Sequence, residues 1–281
     1  MNDATALIGV DWGSSNLRVF RMAEGGTVLD RRADGRGATT LASGQFADVL
    51  TEVAADWLAE DLPVLVCGMA GARGRWLEAP YAPCPASIVD VAAYAVRPID
   101  APEVRILPGV AVWRDGVLDD VMRGEETQLF GLEAGLDRVI APGTHSKWAR
   151  LDGGRIVDFR THMTGEMFAA LSASPSFRGG VAGADPQAFD DGVRSGLEDG
   201  PLGHGLFSAR VGMLAGRVAP GGLQDYLSGL LIGAEIAGEA RDGLDGRIAL
   251  LGAPALVERY RAALTEAATA SGLWRAWEAM R

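Results

Sequence analysis

Hydrophobic and polar positions alternate in three short stretches near the N-terminus. The stretches cover residues 6–10, 17–22 and 27–32, and turns rich in glycine and small polar residues join them. Because successive side chains of a strand point to opposite faces, alternation over five or six residues predicts β-strands. We therefore expect the chain to begin with three strands joined by tight turns.

The next segment repeats apolar residues every three or four positions. Its apolar residues are Phe46, Val49, Leu50, Val53, Ala54, Trp57 and Leu58. This spacing predicts an amphipathic helix with Ser43 as its N-cap. The apolar run 63–67 predicts a buried strand, and the glycines and prolines of 68–87 predict a long loop.

The second half of the chain repeats this order of elements. An apolar run at 137–143 ends in a glycine turn, and alternating residues flank Asp152-Gly153-Gly154, which is typical of a hairpin. Helical spacing recurs in three later segments: 163–171, 223–234 and from 257 onward. We predict an α/β fold with two domains, residues 1–136 and 137–281.

Composition limits the class of partner. The chain has 281 residues, of which 48% are hydrophobic, so it can bury a substantial core. The net charge is −11 and basic residues form no run, which argues against a nucleic-acid partner. Neither a signal peptide nor an apolar run of membrane-spanning length is found. Cys67 and Cys84 form no CxxC pair, so we expect reduced thiols in a cytoplasmic protein without a membrane partner.

The first glycine turn carries candidate phosphate chemistry. In "DWGSSN", Asp11 precedes Gly13, Ser14, Ser15 and Asn16. Backbone N–H groups of such turns can bind phosphate, and a nearby carboxylate can hold Mg²⁺ through water. The alternative is that Asp11 caps the turn by accepting hydrogen bonds from its amides. The residues alone leave both interpretations open.

Two further glycine turns follow predicted strands. "APGTHSKW" contains Gly143, Thr144 and the only lysine, Lys147, which predicts a second phosphate turn with Lys147 near a polyphosphate. "LLGAPAL" places Gly252 between a strand and a helix, where a backbone can approach a base or ribose. The alternative is that this glycine only forms the turn between the strand and the helix. P-loop and dinucleotide fingerprints are not found, and the three histidines lack the grouping of metal ligands.

Two adjacent carboxylates, Glu125 and Glu126, follow Gly124 at the start of a predicted helix over 123–134. Acidic residues stabilise a helix N-terminus electrostatically, which is one explanation of the pair. The other is that one carboxylate is a general base that accepts the proton of a substrate hydroxyl, as phosphoryl transfer to an alcohol requires.

Taken together, these stretches resemble the 2-dehydro-3-deoxygalactonokinase family of the actin-like sugar kinases. The resemblance runs from "IGVDWGSSNLRVF" to "LLGAPALVERY", and its most specific parts are "MRGEETQL", "PGTHSKW" and "MTGE". It implies two actin-like (ribonuclease H-like) domains with the active site in the interdomain cleft. It also implies ATP and Mg²⁺ as cofactors and phosphorylation of the sugar acid 2-dehydro-3-deoxy-D-galactonate at its terminal hydroxyl, O6.

The resemblance also implies roles for individual residues. Asp11 would organise Mg²⁺, and Glu125 would be the catalytic base, with Glu126 as the alternative. The residues expected at the nucleotide are Gly13, Ser14, Ser15 and Asn16 in the first phosphate turn, Gly143 and Thr144 in the second, and Gly252 near adenosine.

A sugar acid carries a carboxylate, so an arginine or a nest of backbone amides should recognise it. The candidates within the matching motifs are Arg18, Arg73, Arg75, Arg123 and Arg160. We expect "GARGRWLEAPY" to face the sugar, with Arg18 and Arg75 as binding residues and Trp76 and Tyr81 as walls. The alternative for Trp76 is that it anchors this loop to the core.

Other functions remain open at this point. The same fold could phosphorylate another acid such as 2-dehydro-3-deoxygluconate, bind nucleotide without catalysis, or hydrolyse a phosphoester. A homo-oligomer is also compatible with the sequence. The chain departs from the family pattern at 269–271, which reads "TAS" where the family has Gly-Asp before its last helix.

Overall fold

The computed structural model describes residues 4–177, 185–198, 200–241 and 243–279, and these ranges contain twelve strands and eight helices. The strands are β1 (Thr5–Trp12), β2 (Leu17–Ala23), β3 (Val28–Asp34), β4 (Val64–Gly68), β5 (Tyr81–Pro83), β6 (Val104–Ile106), β7 (Gly109–Arg114), β8 (Val117–Met122), β9 (Arg138–Ala141), β10 (Ser146–Asp152), β11 (Arg155–His162) and β12 (Ile248–Leu250). The helices are α1 (Phe46–Leu58), α2 (Ile88–Ala93), α3 (Glu125–Phe130), α4 (Thr164–Ala173), α5 (Pro186–Leu197), α6 (Leu202–Leu214), α7 (Leu223–Ala240) and α8 (Pro254–Ala279).

The chain divides into two compact units, and the first contains Met1–Gly135 and Leu151–Phe159. Its larger sheet has the strand order β3-β2-β1-β4-β6, and a smaller sheet has the order β5-β7-β8. Strand β1 is central: it pairs antiparallel with β2 and parallel with β4. The three predicted N-terminal strands are therefore present, and β1 ends in the middle of the sheet edge, at the first glycine turn.

Helix α1 covers the predicted segment, but Ser43 is not its cap. Ser43 lies in a short 3₁₀ turn, Ser43–Gln45, and Gln45 takes the N-cap position without a side-chain hydrogen bond to the helix. The Gln45 side chain instead accepts the backbone N–H of Ala42 at 2.8 Å. The cap prediction was wrong because the 3₁₀ turn shifts the helix start by two residues.

Several elements differ from the predicted ones in the middle of the first unit. The apolar run 104–113, whose pattern predicts a strand region, forms two strands in different sheets, β6 and β7, since Pro108 lies between them and cannot donate to a ladder. The predicted loop 68–87 contains β5, and α2 and β8 were not predicted. Helix α3 is half as long as expected because the chain leaves the helix at Gly131.

The second unit contains Leu136–Arg150 and Arg160–Arg281. Strands β11, β10, β9 and β12 form one sheet in this order. Helices α5 and α7 pack at backbone contact: a Cβ added to Gly192 would lie 2.2 Å from the Tyr226 carbonyl oxygen, and one added to Gly229 would lie 2.1 Å from that of Phe189. The glycines of these helices therefore serve close helix packing, which places the polar residues of α7 inside the unit.

The predicted domain division differs from these units at the tip of the β10–β11 hairpin. Residues Leu151–Phe159 follow the predicted boundary in sequence but pack with the first unit. Two hydrogen bonds between Ala86 and Ile156, of 2.9 and 2.8 Å, hold the tip there. Among the described residues, no helix is both long and apolar enough to cross a membrane. The cytoplasmic location and the homo-oligomer remain predictions.

Candidate active site

The first glycine turn connects β1 to β2 and is closed by its own backbone. The Gly13 N–H donates to the Asn16 carbonyl oxygen at 2.9 Å. Residues 14–16 are exposed, whereas the flanking Trp12 and Leu17 are fully buried. The turn therefore presents two hydroxyls and an amide to solvent from a rigid base.

A second segment supports this turn from behind. The Ala38 N–H donates to the Gly13 carbonyl oxygen at 2.9 Å. The backbone N–H and the hydroxyl of Thr39 both donate to the Ser14 carbonyl oxygen, at 3.1 and 2.7 Å. A Cβ added to Gly37 would lie 2.2 Å from the Ser14 carbonyl oxygen. Residues 13–18 and 33–35 line a cleft of about 680 Å³ on the exposed side. The cleft is large enough for the phosphates of a nucleotide.

Asp11 lies one residue before the end of β1, directly opposite Arg18 on β2. Its carboxylate forms an ion pair with Arg18 and is 20% exposed. Within the described ranges, Asp11 accepts no hydrogen bond from the amides of the turn, which argues against the capping interpretation. One accessible carboxylate fits Mg²⁺, which keeps most of its water and takes few protein ligands. The described residues contain no group of three side chains that could hold a metal without phosphate.

The glutamate pair lies next to the ends of β1 and β4 because the backbones of Gly68 and Gly124 pack against each other there. Gly68 pairs with Trp12 and has φ 88°, and Gly124 has φ 105°. A Cβ on Gly124 would lie 3.2 Å from the Gly68 Cα atom. Both glycines adopt backbone conformations that other residues rarely take, so the start of α3 is fixed beside the sheet edge that carries Asp11.

The two glutamates differ in exposure. Glu126 is fully buried; it accepts the Gly124 N–H at 2.6 Å and the Thr127 hydroxyl at 3.0 Å. Burial raises the pKa of Glu126 to about 7, although these hydrogen bonds favour the ionised form. Glu125 is partly exposed and accepts the Arg123 N–H at 3.2 Å. Of the pair, only Glu125 has a carboxylate that a substrate can contact, which supports it as the base.

Cys67 shows that these carboxylates lie near one another. Burial, together with the nearby carboxylates of Asp11 and Glu126, raises the pKa of its thiol to about 12. In β4, Cys67 is directly opposite Asp11. The thiol is therefore protonated and unreactive at neutral pH, and we assign it no catalytic role.

Trp76, expected as a wall of the sugar site, belongs to the core. It is 7% exposed, and its ring stacks on Phe46 and meets Trp12 edge-on, each at 5.8 Å between centroids. Its indole N–H donates to Asp100 at 3.2 Å. The structure favours the alternative in which Trp76 anchors the loop.

Arg123 joins this loop to the glutamate turn. Its guanidinium lies 4.3 Å above the Tyr81 ring and donates to the Ala79 carbonyl oxygen at 2.8 Å. Tyr81 is partly buried under this arginine. Arg18 is paired with Asp11, whereas the half-buried Arg75 forms no side-chain hydrogen bond or ion pair with any described residue. Arg75 is therefore available to an anion.

The second glycine turn connects β9 to β10 and is held by the start of α4. The Glu166 N–H donates to the Thr144 carbonyl oxygen at 3.0 Å, and a Cβ on Gly165 would lie 2.3 Å from the Gly143 carbonyl oxygen. The His145 Nε2 and Glu166 Oε2 atoms are 2.6 Å apart. The "PGTHSKW" and "MTGE" stretches thus form one structure, a contact that no local pattern in the sequence could reveal.

Lys147 supports the same turn from its buried side. It is 5% exposed, and its Nζ donates to the His145 carbonyl oxygen at 3.1 Å. Lys147 is a residue of strand β10, as expected, and its ammonium contacts the backbone of the turn. Its nearness to a polyphosphate stays a prediction.

Gly252 lies beside the second turn, as a nucleotide site would require. A Cβ on Gly252 would lie 3.0 Å from the carbonyl oxygen of Pro142, the residue before Gly143. An apolar pocket of about 140 Å³ opens next to Gly143, between α4, α7 and α8, with Phe168 and Leu256 in its wall. The three residues of the second half that the sequence analysis assigned to ATP, Gly143, Thr144 and Gly252, therefore lie close to one another.

Comparisons with known proteins agree on one family. Residues 11–280 match the model of the 2-keto-3-deoxy-galactonokinase family. The chain is 42% identical over 278 residues to a probable 2-dehydro-3-deoxygalactonokinase of Rhizobium meliloti (strain 1021), covering 94% of this chain and 90% of that protein. It is 38% identical over 265 residues to the 2-dehydro-3-deoxygalactonokinase of Escherichia coli (strain K12), covering 91% of this chain and 88% of that protein.

A solved structure gives the same result. A crystal structure from Sinorhizobium meliloti, of a protein to which the same kinase activity is ascribed, is 38% identical and aligns with a TM-score of 0.82. The alignment covers 92% of this chain and 90% of that one. The α/β architecture and the resemblance found in the sequence are thus confirmed, and the chain belongs to the 2-keto-3-deoxy-galactonokinase family.

Proposed function

We propose that this chain transfers the γ-phosphoryl group of ATP to O6 of 2-dehydro-3-deoxy-D-galactonate. The observation that carries the proposal is the partly exposed Glu125, fixed by Gly124 beside the strand ends that carry Asp11 and the first phosphate turn. A nucleotide sensor needs no such base, and family membership supports a kinase.

Glu125 accepts the proton of the substrate hydroxyl as that oxygen attacks the γ-phosphorus. Base catalysis of this kind contributes about 10²–10⁴-fold to a rate. The hydrogen bond from the Arg123 N–H orients the Glu125 carboxylate, and the buried Glu126 holds the Gly124 N–H so that the turn cannot relax. Most of the remaining catalysis is positioning and electrostatic stabilisation, as is general for phosphoryl transfer.

Each glycine turn, taken by itself, supplies groups for a nucleotide in this proposal. The amides and hydroxyls of residues 13–16 and of Gly143 and Thr144 bind phosphate oxygens, and Gly252 lets the backbone approach adenosine. Asp11 is the candidate ligand of Mg²⁺, which supplies positive charge to the β- and γ-phosphates when bound. The ion pair with Arg18 orients the Asp11 carboxylate.

Arg75 is our candidate for the substrate carboxylate. It lies in the loop that Arg123 ties to the glutamate turn, and it has no partner of its own among the described side chains. An arginine can bind a carboxylate through two parallel hydrogen bonds, which would fix the far end of the sugar acid and so place its O6.

The test is coupled ADP release by the purified chain with ATP and Mg²⁺. Three conditions are compared: 2-dehydro-3-deoxygalactonate, 2-dehydro-3-deoxygluconate and no acceptor. We expect turnover that depends on the galactonate acid and is small without an acceptor. Selective turnover of the gluconate epimer would refute the substrate assignment, and equal phosphate release without any acceptor would indicate a hydrolase.

A further inference from the structure

A buried carboxylate in the second unit receives three side-chain hydrogen bonds. Glu235 on α7 is 5% exposed. It accepts the Trp148 indole N–H at 2.6 Å, the Tyr260 hydroxyl at 2.8 Å and the Thr164 hydroxyl. These donors come from β10, α8 and α4, so one carboxylate joins three elements to α7.

Two of these donors lie directly next to the second glycine turn. Tyr260 also forms a 2.8 Å hydrogen bond with the hydroxyl of Ser146, which is fully buried and follows the turn in sequence. Thr164 precedes Gly165, the residue whose backbone touches the Gly143 carbonyl group. Glu235 therefore fixes the strand that leaves the turn and the helix that packs against it.

A buried carboxylate constrains its surroundings more than a neutral group does. Removal of an ionised carboxylate from water is costly unless donors replace the lost hydration. All three donors must therefore stay in place, and a shift of α4 or β10 that would move the turn breaks at least one hydrogen bond to Glu235.

We propose that Glu235 is a positioning residue for ATP: through Thr164 and the Tyr260–Ser146 pair, it holds Gly143 and Thr144 in the geometry that binds phosphate. The inference rests on the proposed function, in which this turn binds ATP. It adds a residue that contacts neither substrate and that no motif of the sequence indicated.

Glu239 provides a matched control on the same helix. It is also a glutamate with 5% exposure, and it is also hydrogen-bonded, to His162 at 2.9 Å with Arg160 at 3.7 Å. Neither the Glu239–His162 hydrogen bond nor the Glu239–Arg160 ion pair involves a residue of the second turn. Glu235→Gln and Glu239→Gln thus make the same substitution at the same burial, but only the first changes hydrogen bonds that lead to the turn.

The experiment measures ATP affinity by titration calorimetry, and the KM values for ATP and for the sugar acid, on the full chain. Glu235→Gln should weaken ATP binding and raise the KM for ATP by about tenfold, with the KM for the sugar acid unchanged. Glu239→Gln should leave both KM values unchanged. Equal ATP affinity in the two variants, whatever their thermal stability, would overturn the proposal.

Thr164 gives a milder variant in case Glu235→Gln does not fold. Thr164→Val removes the hydroxyl that Glu235 accepts and keeps the shape of the side chain, whereas Thr164→Ser keeps the hydroxyl. We expect Thr164→Val to weaken ATP binding and Thr164→Ser to retain it. The same affinity in both variants would refute the role of this hydrogen bond. Absence of sugar-acid turnover in a wild-type chain that binds ATP would refute the proposed function and leave the affinity test valid.

Discussion

Replacement of Glu126 by glutamine should change how the stability of the protein depends on pH. Glu126 is fully buried, and its burial raises its pKa from the ordinary value of 4.5 to about 7. Glutamine has nearly the same shape and can still accept the Gly124 N–H with its amide oxygen, but it does not ionise. The variant therefore isolates the free energy of a buried charge.

The sign and size follow from proton linkage. Between pH 4.5 and about 7 the folded chain holds a proton on Glu126 that the unfolded chain has released, so stability falls as the pH rises and is constant above this range. A shift of about 2.5 pKa units corresponds to about 3 kcal/mol in total. Most of it, on the order of 2 to 3 kcal/mol, is lost between pH 5 and 8. Glu126→Gln should not show this loss.

The assay is urea unfolding at pH 5, 6, 7 and 8, with Glu126→Gln compared with wild type at each pH. The variant should gain stability relative to wild type as the pH rises. Glu24→Gln is the matched control, since Glu24 is an exposed glutamate of the same unit. A difference for Glu126→Gln that is as flat as that of Glu24→Gln would refute the claim that this carboxyl group is buried.

Two further substitutions test the supports of the site. Gly37→Ala should lower stability by about 1–3 kcal/mol and raise the KM for ATP, because the new Cβ would lie 2.2 Å from the Ser14 carbonyl oxygen. Gly44→Ala, whose Cβ meets nothing within 4 Å, should do neither in thermal unfolding and kinetic assays. Arg123→Met removes the hydrogen bond to the Ala79 carbonyl oxygen and should raise the KM for the sugar acid several-fold more than the KM for ATP. A kinetic series that varies both substrates measures the two values. Equal effects on both would contradict the role of Arg123 in holding the sugar-facing loop.

The features that the sequence revealed are those that local pattern determines. The alternation of residues 6–22 predicted β1 and β2, and the glycine and small polar residues between them predicted the tight turn that joins these strands. Gly143, Thr144 and Gly252 were placed in turns for the same reason, since each follows a recognisable strand, and their contact with a nucleotide stays a prediction. These predictions needed only the period of side chains in a strand and the backbone freedom of small residues.

The features that the sequence did not reveal depend on contacts between distant residues. Glu235 and Tyr260 are 25 positions apart, and Ser146 is 114 positions from Tyr260. The difference between Glu125 and Glu126 likewise arises from tertiary burial, because adjacent residues with the same chemistry look equivalent in a sequence. Trp76 was open to two interpretations until its contacts with the core were known.

The measurement that most directly tests the account is acceptor-dependent ADP release by Glu125→Gln, together with its affinity for ATP. The account predicts that turnover with 2-dehydro-3-deoxygalactonate falls by about 10²–10⁴-fold, since the hydroxyl loses its proton acceptor. Affinity for ATP should stay within about twofold of wild type, because Glu125 removes a proton and does not bind nucleotide. Turnover that survives in Glu125→Gln would contradict the assignment of the base and, with it, the central claim about this site.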